Sequence, residues 1–171
     1  MSDTLVFTAE QQQEIKELIA RYPQPRSALL PVLHLAQESF GYLSMEAQQL
    51  VADTLGMRLM AVREVVTFYT MFRETPTGRF RLEVCTNIGC ALNGANELVR
   101  HMCESLNIKI GETTEDGLFT VTEVECAGAC AGAPVVQINS VYHERVTPEG
   151  IDTLIEEMRS GERTELTGDR S

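Results

Sequence analysis

Five cysteines occur in the 171-residue chain, and four of them form two close pairs. Cys85 and Cys90 stand in EVCTNIGCALNG, and Cys126 and Cys130 in VECAGACAGAP, giving the spacings C-x4-C and C-x3-C. Four thiolates supply soft, anionic sulfur, which suits either a tetrahedral zinc ion or a two-iron, two-sulfide cluster. Zinc knuckles mostly use a shorter C-x2-C spacing. Two irons that each need two thiolates accept wider loops, so the spacing leans toward iron–sulfur and leaves zinc open. A dithiol enzyme fits less well, because the C-x-x-C spacing of thioredoxin-type redox pairs is absent.

Small residues such as Gly89, Ala127, Gly128 and Gly132 flank the four cysteines. They let backbone N–H groups approach sulfur, and the glycines permit the dihedrals that a wrapping loop needs. A helix starting near Asn93 is expected to aim its positive end at the bound group. Cys103 lies mid-helix beside Met102 and reads as a structural, core-facing thiol. His34, His101 and His143 are scattered, and the first two read as surface or satisfied helix histidines. Four well-placed cysteines make a Rieske-type pair of histidines unnecessary.

The elements that must position these thiols divide into two sets. Residues 1–75 read as helical. TAEQQQEIKELIARYP opens with a Thr8/Gln11 capping-box pattern and ends at Pro23 and Pro25. RSALLPVLHLAQESFGYL tolerates Pro31 near its first turn and stops at Gly41. SMEAQQLVADTLG runs from Ser44 as cap to Gly56 as terminator. MRLMAVREVVTFYTMF is a fourth amphipathic segment, and its end, Val65 to Phe72, reads equally as helix or strand. Phe68, Tyr69, Met71 and Phe72 within it are either ordinary core or a partner-binding patch.

RETPTGRF marks a boundary, and the second region, 76–171, changes pattern. FRLEV alternates as a strand that leads into Cys85, GANELVRHMCESLN is a helix, and GLFTVTEVE is a strand that ends at Cys126. PVVQINSVYHERV reads as two short strands about an Asn139-Ser140 turn. TPEGIDTLIEEMRSG is a closing helix with Thr147 as cap and Pro148 at its first position, and the tail ERTELTGDRS reads as frayed. The predicted fold class is therefore α+β: an N-terminal helical bundle, then a small α/β domain with a mixed sheet. Both cysteine pairs begin where a strand ends, the usual place for ligands in such folds.

Composition excludes several functions. The net charge is −11, from 25 acidic and 14 basic residues, which argues against nucleic-acid binding and against docking on anionic lipid. The first 75 residues carry nine acids and six bases, which leaves sixteen and eight for the cysteine-bearing remainder. No apolar stretch is long enough to span a bilayer, and the N-terminus lacks signal-peptide character. The expectation is a cytoplasmic chain without membrane insertion, in a reducing compartment that favours metal or redox use of cysteine over disulfides. No acid–base pair, nucleophile triad, G-x-G-x-x-G or P-loop is evident, so the chain carries no complete active site of its own and binds no nucleotide.

CTNIGCALNGANEL, VECAGACAGAPVVQIN and YHERVTPEGIDTLIEEM together resemble the thioredoxin-like 2Fe–2S subunit of NADH:quinone oxidoreductase, respiratory complex I. The upstream VVTFYTMF and RSALLPVLHLAQESFGYL resemble that subunit's helical N-terminal region, so the likeness runs over roughly residues 10 to 160. Related subunits occur in NAD-dependent formate dehydrogenases and hydrogenases. The resemblance implies a thioredoxin-like domain behind the helices. It also implies a 2Fe–2S cluster on Cys85, Cys90, Cys126 and Cys130, the first two on one iron and the last two on the other. The partner is then a flavoprotein subunit that binds FMN and NADH, beside further subunits of the peripheral arm on the cytoplasmic side of a membrane-associated complex. This chain's cluster exchanges single electrons with that flavin. The family commonly has leucine where Ala127 stands and a bulkier residue where Ala91 stands, and neither change removes a ligand. The acidic surroundings predict a low potential, near or below the about −400 mV of plant-type ferredoxins. The competing reading from another class is a zinc-stabilised binding module without redox activity.

Overall fold

A computed structural model describes residues 5–162. These residues divide into two compact units, one ending at Pro76 and the other beginning at Thr77.

In the first unit four helices follow one another: α1 (Ala9–Ala20), α2 (Leu29–Phe40), α3 (Met45–Leu55) and α4 (Leu59–Phe68), with a 3-10 turn at Pro25–Ala28. Thr8 and Gln11 form the expected reciprocal cap: the Gln11 N–H donates to Thr8 Oγ1 at 3.2 Å and the Thr8 N–H to Gln11 Oε1 at 2.9 Å. Gly41, with φ +82°, follows α2, and Gly56 closes α3 in the left-handed region, where a Cβ would be strained. Val32, Leu33, Ala36, Val51, Ala52 and Val62 recur at helical spacing and are fully buried.

The ambiguous segment resolves as helix up to Phe68, after which Tyr69 is extended. The cause lies on another helix. The buried Gln37 amide donates to the Met71 carbonyl at 3.0 Å and accepts from the Arg73 N–H at 2.8 Å, and the Leu43 N–H donates to the Arg73 carbonyl at 2.6 Å. These bonds give the extended backbone the partners that a further helical turn would have supplied. Phe72 is then buried while Phe68 is 76% and Met71 47% exposed. His34 is exposed and packs its ring 5.0 Å from that of Phe72.

The second unit holds a four-stranded sheet in the order β2-β1-β3-β4, built from β1 (Phe80–Cys85), β2 (Phe119–Val124), β3 (Val136–Ile138) and β4 (Val141–His143). β1 and β2 run parallel, with Phe80 opposite Phe119 and Cys85 opposite Val124; β3 is antiparallel to β1, and β4 to β3. Parallel neighbours need a crossover, and α6 (Ala95–Leu106) provides it after a short α5 (Ile88–Leu92). Asn139 takes a left-handed φ of +54° in the β3–β4 turn. Thr147 caps α7 (Pro148–Ser160), accepting from the Gly150 N–H at 3.1 Å, with Pro148 at the first helical position. The alternating residues Leu82, Val84, Phe119 and Val121 bury against Leu98 and Met102 of α6 and Ile151 of α7. His101 joins those two helices, with Nε2 2.9 Å from both carboxylate oxygens of Asp152. The tail expected to fray lies outside the described residues from position 163 onward. Among the described residues, no helix is long and apolar enough to cross a membrane.

Candidate metal centre

The two strands that deliver the cysteines are the parallel pair. Cys85 is the last residue of β1, and its N–H donates to the Val135 carbonyl at 3.0 Å. The next residue, Thr86, donates its N–H to the Val124 carbonyl of β2 at 3.2 Å. The chain then turns at Asn87 into α5, where Cys90 is the buried residue. From the end of β2 the second loop runs through Glu125 to Cys126, passes Gly128 at φ +74°, and enters a 3-10 turn, Cys130–Gly132, which a cis Ala133–Pro134 bond follows.

The register of β1 and β2 thus sets the two loops side by side. The Ala127 N–H donates to Cys85 Sγ at 3.4 Å across the loops, and the Gly128 N–H donates to Cys126 Sγ at 3.4 Å within the second. Cys90 and Cys126 both lie within hydrogen-bonding reach of the Cys85 thiol, and Cys130 is within electrostatic reach of Cys90. Cys85 and Cys90 are buried, each 2% exposed, while Cys126 and Cys130 are open to solvent. Among the described residues, no three His, Cys, Asp or Glu side chains are gathered around a single ion-sized point.

Burial raises the cost of a thiolate at Cys85. The N–H groups of Ala127 and Asn87 and the neighbouring thiols of Cys90 and Cys126 outweigh it, and the Cys85 pKa is lowered. Cys90 goes the other way: burial and the adjacent Cys85 hold its thiol up, and the Val135 N–H only partly opposes them. Binding of a metal requires both thiols of the pair to lose their protons.

Gly132 matters through its missing side chain. A Cβ there would collide with the Glu144 carboxylate, which rests directly on the turn that carries Cys130. Cys103 is on α6, half-buried in an open cleft with Val99, Arg100, Ile108 and Glu123. Its thiol is pushed up by burial and then by Glu123, Glu104 and Glu112, which is the inert behaviour of a structural cysteine.

All four cysteines follow the sheet strands as the spacing predicts: the structure sets Cys90 and Cys126 beside Cys85 and Cys130 near Cys90, without gathering three of them around one point. α5 was not anticipated: it occupies what read as loop, and the expected helix near Asn93 begins at Ala95 behind Gly94. The Val135 backbone, which meets both Cys85 and Cys90, carries no side-chain signal that spacing could reveal.

A family model described as thioredoxin-like [2Fe-2S] ferredoxin matches residues 15–159. The second E-type subunit of the NADH-quinone oxidoreductase of Rhizobium meliloti (strain 1021) is 44% identical over 151 residues, covering 88% of this chain and 90% of that one. The E-type subunit of the NADH-quinone oxidoreductase of Rickettsia felis is 42% identical over 160 residues, covering 92% and 96%. Among solved structures, the air-oxidised NAD+-reducing [NiFe]-hydrogenase superposes with a TM-score of 0.70 at 25% identity; the match spans 80% of this chain and 24% of that one.

Proposed function

Because this chain belongs to the thioredoxin-like [2Fe-2S] ferredoxin family, we propose that it is the electron-transfer subunit of an NADH-quinone oxidoreductase, with Cys85, Cys90, Cys126 and Cys130 as the ligands of its cluster. The observation that carries the ligand assignment is the convergence of the two cysteine loops, joined by the Ala127 N–H on Cys85 Sγ. The donor set fits: four thiols in two neighbouring pairs, with backbone N–H groups turned to the sulfurs. When bound, a 2Fe–2S cluster supplies a one-electron carrier.

The protein's own contribution is position and field. Cys85 and Cys90 anchor the buried side of the group, and Cys126 and Cys130 present the side nearest solvent, through which a redox partner has access. The Ala127 and Gly128 N–H groups stabilise sulfur charge, which raises a potential. Glu144 against the Cys130 turn and the exposed Glu125 beside Cys126 oppose an added electron. The partner is the FMN- and NADH-binding flavoprotein subunit of the same multi-subunit complex, on the cytoplasmic side of its membrane. The exposed Phe68 and Met71 of the first unit suit a protein partner, since aromatics and methionine are enriched at interfaces. Phe68→Glu is expected to weaken co-purification with that flavoprotein while leaving iron content unchanged; undiminished recovery would reject the patch. The hydrogenase-type assignment rests on 25% identity against 44% for the oxidoreductase relative, and it is the weaker reading.

The test is anaerobic purification or reconstitution with iron and sulfide, followed by metal analysis and EPR after reduction. The expected result is about two irons and two sulfides per chain and a signal from one unpaired electron. Serine at any of the four positions should lower iron content or change the signal, and Cys103→Ser should not. One zinc per chain, no colour and no signal would reject electron transfer in favour of a zinc-stabilised module.

A further inference from the structure

One side chain joins the two cysteine loops without belonging to the ligand set. Asn87 stands between Cys85 and Cys90. Its Oδ1 accepts from the Ile88 N–H at 2.9 Å and so caps α5, the helix that carries Cys90. Its Nδ2 donates at 2.9 Å to the carbonyl of Glu125, the residue before Cys126. Its backbone N–H faces Cys85 Sγ, and its carbonyl accepts from the Ala91 N–H at 2.8 Å.

α5 needs such an anchor. It is five residues long, too short to hold its shape alone, and among its residues Cys90 is the buried one. Ile88 and Leu92 are 75% and 82% exposed, so apolar burial does little to seat the helix. Cys85 is fixed by the sheet, and Cys126 follows directly from β2. Cys90 lies on no strand; the Val135 N–H meets its sulfur, and Asn87 is the side chain that ties its helix to the carbonyl before Cys126. The chemistry also requires an amide. The bridge needs an acceptor for Ile88 and a donor for Glu125 on one short planar group, and of the short side chains only an amide provides both in that geometry.

We propose that Asn87 is a positioning residue that fixes Cys90 and α5 against the second cysteine loop and so sets how firmly the four thiols retain their cluster. This rests on the reading of those thiols as ligands.

The test uses the full reconstituted chain and three substitutions. Asn87→Ser keeps a good helix cap without adding charge and removes the Nδ2 group that reaches the Glu125 carbonyl, leaving one shorter hydroxyl in place of the two-ended amide. Asn87→Asp keeps the cap and loses the donor. Asn87→Ala loses both. Cluster loss to excess chelator, followed by visible absorbance, should be about threefold to tenfold faster in the Ser and Asp variants, the range expected for one lost hydrogen bond. EPR line positions of the reduced Ser variant should shift, a signature that general destabilisation does not produce. Circular dichroism of each metal-free variant reports whether it folds, and the Ser and Asp pair still decides the matter if Asn87→Ala does not.

Wild-type loss rates and line positions in Ser and Asp would overturn the inference, and faster loss in Ala alone would reduce Asn87 to a helix cap. A wild-type chain that takes up no iron–sulfur cluster would overturn the ligand reading first and the brace with it. That outcome is visible before any Asn87 variant is compared.

Discussion

Gly128 offers a direct test of how the second cysteine loop is held. Its φ is +74°, and a Cβ built there meets nothing within 4 Å, so an added methyl would cost backbone conformation and no packing. Placing a residue with a Cβ in the left-handed region costs about 1–2 kcal/mol. Alanine also stiffens the unfolded chain, which returns about 0.4–1 kcal/mol. The expected net loss for Gly128→Ala is therefore about 1 kcal/mol. With a denaturant slope of roughly 1–3 kcal/mol per molar urea, the midpoint of the metal-free chain should fall by about 0.3–1 M in a titration followed by circular dichroism under reductant. Gly128→Asn is the control, because asparagine visits the left-handed region at lower cost; its midpoint should lie between wild type and alanine. The same ordering should appear in cluster retention, since the Gly128 N–H points at Cys126 Sγ. An alanine variant at the wild-type midpoint, or an asparagine variant below it, would refute the argument that this loop depends on a left-handed residue.

Gly78→Ala should cost more, about 1–3 kcal/mol, because its Cβ would stand 2.8 Å from the Leu118 and Phe119 backbone, which cannot swing aside as a side chain can; thermal melting checks it, and an unchanged melting temperature would show that the entry to β1 is loosely held. Asp116 gives a pH dependence. The Thr114 hydroxyl, then the Leu118 N–H and the Arg159 charge, hold its carboxyl below the usual carboxylate value, against a smaller opposing effect of burial. Its stabilisation is therefore complete above the ordinary aspartate pKa and disappears as pH falls through the depressed folded value. Asp116→Asn should lower the melting temperature near neutrality and flatten its fall toward about pH 3; parallel wild-type and variant curves over that range would count against the assignment.

What could be read from the sequence was local. Thr8 with Gln11, Ser44, and Thr147 with Pro148 announce helix starts through contacts within three residues of themselves, and Gly41 and Gly56 announce ends through their own dihedrals. The alternation in FRLEV reports one buried sheet face directly, whereas in FTVTEV Thr120 is buried along with Phe119 and Val121. The misses come from partners distant in sequence. α4 stops at Phe68 because Gln37, more than thirty residues earlier, supplies hydrogen bonds to Met71 and Arg73. α5 has too few residues for a period to show, and the bridge that seats it ends at a carbonyl 38 residues away. The cysteines themselves were legible because their chemistry needs particular side chains. Of the backbone groups that tune them, Ala127 and Gly128 were signalled by their small side chains, whereas Val135 could be any residue type and left no trace.

The sheet's outer margin bears on what happens before assembly. β2 is an edge strand. The preceding segment shields its first half, with the Gly111 N–H on the Val121 carbonyl at 2.8 Å and Thr113 bridged to Thr120. Beyond Val121 the described residues place no strand on that side, and the exposed Glu123 and Glu125 follow there. The opposite margin, β4, is three residues long. Carboxylates on one open margin and brevity on the other both discourage a foreign strand from adding to the sheet. A chain made ahead of its partners is thus guarded against self-pairing and aggregation. Replacing Glu123 and Glu125 with threonine leaves the four paired cysteines in place and should raise light scattering of the partner-free chain; unchanged scattering would show that these carboxylates do not guard the margin.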